Sequence, residues 1–265
     1  KNGVPIDEDT EWDGLDLWGL REGDAEHKYV IREGYTTANI HFNREARFYG
    51  SLWFHGNLIY GNGRVSSDNN QYLVQTMTGY FGSSQTGYGC KKFIHYMSAL
   101  PDNSNSLSAY SYPFPIIRLA DLYLMYAEAL NESKTAPDAE VYEYIDLVRN
   151  RTGLKGVVES WQQYSKLPDK PSTKEGMRDI IQRERLNELA FEGARFWDLR
   201  RWKLAEEYMN KPVRSLNNVR PETLEEFFQE VVVYQLTFDK KDYLWPIRTS
   251  VLLQNRNLIQ NPGWN

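Results

Sequence analysis

Glu184, Glu188 and Glu192 follow one another at four-residue intervals, with Arg183 and Arg185 beside them. Four-residue spacing places side chains along one face of an α-helix. A face so charged constrains the fold, because each carboxylate taken out of water needs a cation within hydrogen-bonding reach. Such cations follow just past Gly193, where Arg195, Arg200 and Arg201 surround Asp198. The pattern predicts ion pairs that lock two helices across a tight glycine turn, with Phe191, Phe196, Trp197 and Trp202 as the apolar body of that joint.

Paired carboxylates also invite the reading of a glycosidase built on Glu184 and Glu188. Glycoside hydrolysis needs two carboxyls flanking the scissile bond, about 5 to 9.5 Å apart. Neighbours on one helix instead point the same way. A general acid also needs a raised pKa, whereas nearby guanidinium groups favour the ionised form. The segment therefore reads as structural and the chain as a non-enzyme. Gly-rich phosphate loops, metalloprotease helices, nucleophile elbows and Ser/His/Asp sets are absent from the sequence.

Helical periodicity begins at Pro115. Ile116, Leu119, Ala120, Tyr123, Ala127 and Leu130 recur at three- and four-residue steps. A second helix starts near Pro137 and Asp138, carries Val141, Ile145 and Val148, and stops at Gly153 in a left-handed conformation. So short a link predicts an antiparallel hairpin of tetratricopeptide type, in one clear copy. Residues 154–172, with Pro168 and Pro171, read as a loop. A third helix is expected from about Thr173 to Glu192 and a fourth from Ala194. Toward the end, Val231–Val233 and Tyr243–Ile247 read as extended pieces and Asn257–Trp264 as an irregular tail. Residues 1–110 are rich in Gly, Asn, Ser and Tyr, and predict loops with short strands near Tyr72–Val74 and Phe93–Ile94. The fold class is thus mainly α, a single region with a loop-rich part (1–110) and a helical scaffold (111–265).

The net charge of −5 gives no electrostatic reason to approach nucleic acid, and no apolar run approaches the roughly 20 residues that span a bilayer. Cys90 is the sole cysteine, and the four histidines have no zinc-ligand spacing. Residues Asp7 to Asp16 form an acidic cluster without calcium-loop spacing, read as a solvated loop with no metal. Lys1 opens directly in that acidic stretch, so any targeting segment is expected upstream or removed.

Several separated motifs resemble the SusD/RagB family of outer-membrane nutrient-binding lipoproteins. They are Tyr112-Pro113 through Arg118-Leu119-Ala120-Asp121 and Tyr126-Ala127-Glu128-Ala129-Leu130-Asn131, then Val148-Arg149-Asn150-Arg151-Thr152-Gly153-Leu154. Arg183-Glu184-Arg185 through Glu188-Leu189-Ala190-Phe191-Glu192-Gly193 follows, then Arg195 to Trp202, Leu244-Trp245-Pro246-Ile247 and Gln260-Asn261-Pro262-Gly263-Trp264. Departures include Glu45-Ala46-Arg47 where the family commonly reads Asp-Pro-Arg, and Arg248 where a Pro is usual.

The resemblance implies a carboxy-terminal portion, the amino-terminal half with its lipid-attachment cysteine and most tetratricopeptide helices being absent. It further implies a cofactor-free protein on the extracellular face of the outer membrane, anchored through an upstream lipid. Such a protein captures oligosaccharide or polysaccharide, or peptides in the RagB branch, for a SusC-like TonB-dependent transporter. A helical protein-interaction scaffold is the alternative from a different class. Flat aromatic faces and planar polar groups on loops suit sugars. Those of the first hundred residues are Trp53, His55, Asn57, Tyr60, Tyr80, Phe81 and Tyr88, with Trp12 and Trp18 as further options. Any one of these is an ordinary packing residue on its own; as a group, one or two should be exposed.

Overall fold

The three- and four-residue apolar steps become a helical hairpin with a buried seam. The structure, a computed structural model, describes residues 1–61, 71–77, 84, 86–98, 108–219 and 221–264. In chain order these form β1 (Leu20–Glu22), β2 (Thr36–Ala38), α1 (Ala46–Ser51), β3 (Leu52–Trp53), β4 (Leu58–Tyr60), β5 (Gln71–Leu73) and β6 (Gly89–Cys90). The helical part follows as α2 (Leu119–Ser133), α3 (Ala139–Arg151), α4 (Val157–Tyr164), α5 (Lys174–Glu188), α6 (Ala194–Arg201) and α7 (Ala205–Met209). It ends with β7 (Val213–Leu216), α8 (Leu224–Phe227), β8 (Glu230–Tyr234) and α9 (Thr249–Gln254).

α2 buries Leu124 and Ala127, and α3 answers with Val141, Ile145 and Val148. The Asp138 side chain accepts from the Val141 backbone N–H, capping α3, and Gly153 at φ +76 turns the chain out of it. α5 packs across this hairpin with Met177, Ile180 and Ile181. Thr173 caps α5 by accepting from Gly176 N. Among the described residues every sheet is a two-stranded antiparallel pair: β1 with β2, β3 with β6, β4 with β5 and β7 with β8. Such ribbons are too small to hold a fold by themselves. They are backed by small aromatic clusters, one around Ile31, Phe42 and Phe54 and another around Ala38, Leu216, Phe227 and Phe228.

Several expectations change. Ile116 lies outside α2 and is 92% exposed, because Arg118 is extended (φ −119, ψ 145) and the helix starts after it. Residues 154–172 hold α4 and a 3-10 turn at Lys170–Ser172, not a loop throughout. Val157, Ser160 and Trp161 of α4 are buried, a seam too short to register as periodic. α5 ends at Glu188, and Glu192 sits in the following turn, off the helix. Phe93–Ile94 is a bend with Phe93 at φ +72. Tyr243–Ile247 is not a strand; a capping box between Asp239 and Asp242 winds Lys240–Tyr243 into a 3-10 turn, and α9 follows.

The joint after α5 differs too. Trp197 and Phe191 face outward, at 61% and 49% exposure. Leu199, Ala205 and Phe238 make the apolar cluster instead, with the Arg200 guanidinium over the rings of Phe196 and Trp245. Trp161→Ala should lower unfolding free energy by about 3–5 kcal/mol in a urea titration. Ile116→Ala, on the surface, should change it by less than about 0.5 kcal/mol.

Candidate functional site

The charged face of α5 is enclosed by arginines drawn from three other segments: α1, the start of α2, and α3. Glu184 accepts from Arg47 of α1 and from Arg149 of α3, the latter at 3.1 Å. Arg149 is fully buried, and its remaining donors go to Lys155 O, Gly3 O and Ser160 Oγ. Glu188 accepts twice from Arg151 at 2.8 Å and from Arg118 at 2.9 Å. Glu192 accepts from Arg118 at 2.6 and 2.9 Å and from Lys92. Burial opposes ionisation of Glu192, and the hydrogen bonds and charges of Arg118 and Lys92 overcome it, holding its carboxyl below the usual range. Arg185 completes the lattice with Asp198 at 2.9 and 3.1 Å and Asp121 at 2.8 Å. Carboxylates saturated with guanidinium donors suit cross-linking rather than proton transfer.

The loop residues singled out for ligand contact fall into three groups. His55 and Asn57 are buried. His55 Nε2 lies 3.1 Å from Tyr35 Oη, and Asn57 Nδ2 donates to Val30 O. Tyr88 is half-buried, with its hydroxyl 2.8 Å from His41 Nε2. Trp53 and Tyr60 are half-buried on β3 and β4, and the Trp53 ring lies so close over Gly89 that a Cβ there would collide with it. Tyr80 and Phe81 lie outside the described residues. Trp18 packs against Phe228 at 6.5 Å. In the acidic cluster Asp9 is buried and accepts from Asn2 and from Glu11 N. No group of three His, Cys, Asp or Glu side chains suited to a metal occurs among the described residues.

An exposed aromatic surface appears elsewhere, over residues 93–98 and 108–114. The His95 ring stacks on Tyr110 (4.5 Å, 19°) and on Tyr96 (4.7 Å, 29°), with Tyr112 tilted beside it at 5.6 Å. Tyr96 and Tyr110 are 64% and 51% exposed. His95, Tyr96 and Tyr112 line a cleft of about 370 Å³ together with Lys92, Arg118 and Glu192. Lys92 Nζ donates to Glu188 O (2.8 Å) and Ala190 O (3.1 Å) as well as to Glu192, so the loop is pinned to the end of α5. Tyr112 Oη donates to Phe93 O at 2.9 Å, closing the loop on itself. Sequence reasoning missed this surface because its rings are separated by the Pro101 to Ser108 run. The available signal was Tyr110-Ser111-Tyr112, whose alternate rings fall on one side of an extended chain.

The structure is thus a helical scaffold with an aromatic cleft on its surface. The sequence model of the SusD family is matched over residues 1–264, and the chain belongs to that family. It is 31% identical over 175 residues to the SusD-like protein P2 of Formosa agariphila, covering 65% of this chain and 30% of that one. The solved structure named BT4246 shares the fold with a TM-score of 0.76 at 24% identity, over 99% of this chain and 42% of that one. A SusD-like carbohydrate binding protein from Bacteroides fragilis gives 0.59 at 21%, over 92% and 47%. The chain therefore spans under half the length of each of these relatives.

Burial keeps the two interior imidazoles neutral. It lowers the pKa of His55 to about 4 and that of His41 well below the ordinary value, with Arg44 and the other imidazole adding to it at His41. Between about pH 4 and 6.5 the unfolded chain binds the extra protons, so stability is fully present above pH 6.5 and falls with acidification. Thermal melts at pH 7 and pH 5 should differ by about 2 kcal/mol from His55 alone. The difference should shrink in His55→Gln.

Proposed function

We propose that the protein captures oligosaccharide or polysaccharide at the cell surface without cleaving it, for delivery to a SusC-like TonB-dependent transporter. The observation that carries the ligand class is the stack of exposed Tyr96 and Tyr110 on His95, beside a cleft that His95 and Tyr96 line. Near-parallel rings with outward faces match the C–H-rich face of a pyranose, and the nearby polar groups suit its hydroxyls. Lys92, Arg118 and Glu192 satisfy one another, so the cleft presents rings and spare oxygens without a free charge. That combination supports a neutral stretch of glycan at this point. Half-buried Trp53 and Tyr60 remain candidate contacts on the preceding strands, and Tyr80 and Phe81 lie outside the described residues.

The relatives' printed names support the same class, one being called carbohydrate binding. The lipid anchor, the outer-membrane location and the extracellular face follow from the resemblance to SusD/RagB proteins. The transporter contact has its own support in α2, whose outer face exposes Leu119, Leu122, Met125 and Tyr126 in one helical stripe. No helix among the described residues is long and apolar enough to cross a membrane.

Calorimetry against a broad polysaccharide panel tests the ligand class. Binding to at least one glycan is expected, weakened about tenfold by Tyr96→Ala or Tyr110→Ala, the equivalent of about 1.4 kcal/mol. Silence across the panel with binding of peptides would transfer the site to peptide capture. Reducing-sugar release that disappears in Glu184→Gln would instead make the protein an enzyme.

A further inference from the structure

A second, larger cleft shares no lining residue with the aromatic stack. It has a volume of about 710 Å³ and runs between the first seventeen residues, α1 and the outer face of α5. Its walls include Trp12, Phe48 and Phe191. Phe191 is held at φ +65, a left-handed conformation that a bulky side chain adopts at a cost, and its ring is half exposed. Strain of that kind marks a side chain whose position is required.

The charge balance of this cleft is lopsided. Glu45 and Glu184 on its wall are already paired, with Arg47 and with Arg47 and Arg149 respectively. Lys166 is paired with Asp13. Arg44 and Arg183 form no ion pair among the described residues, and Asp7 is the wall carboxylate left without a cation there. Arg44 lies largely buried over the Phe48 ring, at 4.2 Å, and spends one donor on Ile40 O. Burial lowers its pKa, opposed by Tyr88, Tyr49 and Glu45. An incoming anion would relieve that desolvation. Deeper in, Arg47 Nε is buried with no hydrogen-bond partner. On a chain of net charge −5, two unpaired guanidinium groups beside aromatic walls are a local reversal of sign.

We infer that this cleft is a second binding site, specific for saccharides that carry a carboxylate or sulfate group. Trp12 and Phe191 take the sugar faces, Arg183 and Arg44 take the anion by forked hydrogen bonding, and exposed Asn187 serves hydroxyls. The inference goes beyond neutral capture at the stack and does not depend on it.

Calorimetry on the full chain with three probes tests it: tetragalacturonate, a sulfated carrageenan tetrasaccharide and maltotetraose. The charged probes should bind at least about tenfold more tightly than maltotetraose and weaken as sodium chloride rises to about 0.5 M. Whichever charged probe binds the better assigns carboxylate or sulfate as the anion. Arg183→Ala should reduce that affinity about tenfold and Arg183→Glu should abolish it. Both leave the fold intact, since Arg183 is exposed and unpaired. Phe191→Gly removes a wall while relieving the left-handed strain, so affinity should fall as the melting temperature holds or rises. Equal affinity for charged and neutral probes, or charged binding untouched by Arg183→Glu, overturns the inference. Charged binding lost in Tyr110→Ala and kept in Arg183→Glu would also overturn it, while leaving the stack as the site. Sensitivity to Arg183 with none to Tyr96 or Tyr110 for any glycan would sink the stack reading alone.

Discussion

Four arginines converge on the carboxylates of α5 and its flanking turn, and they tie α1, α2 and α3 to it. Glu184 joins α1 and α3 through Arg47 and Arg149, and Glu188 joins the start of α2 to the end of α3 through Arg118 and Arg151. Arg185 reaches forward to Asp198 of α6 and back to Asp121 of α2. Ion pairs this deeply buried are poor stabilisers compared with well-packed hydrocarbon, because desolvation offsets most of the Coulomb attraction. Their value lies in specificity: removing one partner strands a charge, so wrong registers of the helices are heavily penalised. The apolar seam of Leu124, Val141, Ile145, Trp161 and Ile180 supplies the driving force, and the arginines choose the arrangement.

The same lattice reaches the binding surfaces. Lys92 and Arg118 share Glu192, so the residues on either side of the aromatic segments 93–98 and 108–114 are tied to the end of α5. Rings that follow a fixed base are held in place by the scaffold, the arrangement that suits presenting them to a ligand. On the opposite flank, Arg47 and Glu45 form part of the wall of the larger cleft while bracing Glu184. One buried network thus sets the geometry of two separate surfaces.

The aromatic surplus divides by environment. Phe42, Phe54, Phe227 and Phe228 fill small clusters behind two-stranded ribbons that have no larger core to lean on. His41 and His55 are drawn into those clusters, His41 stacked on Phe54 at 4.2 Å, as neutral rings that link them by hydrogen bonds. Tyr96, Tyr110, Trp197 and Trp245 stay outside. Residue type alone does not separate the two sets, since Phe, Tyr and Trp occur both in the interior and on the surface.

Local chemistry in the chain determined the helical hairpin at Leu124 to Val148, its start at Asp138 and the left-handed stop at Gly153, because each depends on neighbours within a turn or two; the four-residue spacing showed that Glu184 and Glu188 need cations but not that Arg47, Arg118, Arg149 and Arg151 supply them. The motif order, read the same way, carried the family. Tertiary structure decided which aromatic rings face solvent, that His55 and Asn57 are interior, that α4 exists within residues 154–172, and that Arg183 and Arg44 form no ion pair among the described residues while Arg47, Arg118 and Arg149 are consumed. Those outcomes depend on contacts between residues tens to more than a hundred positions apart, such as Arg47 with Glu184, whose pairing no local spacing encodes.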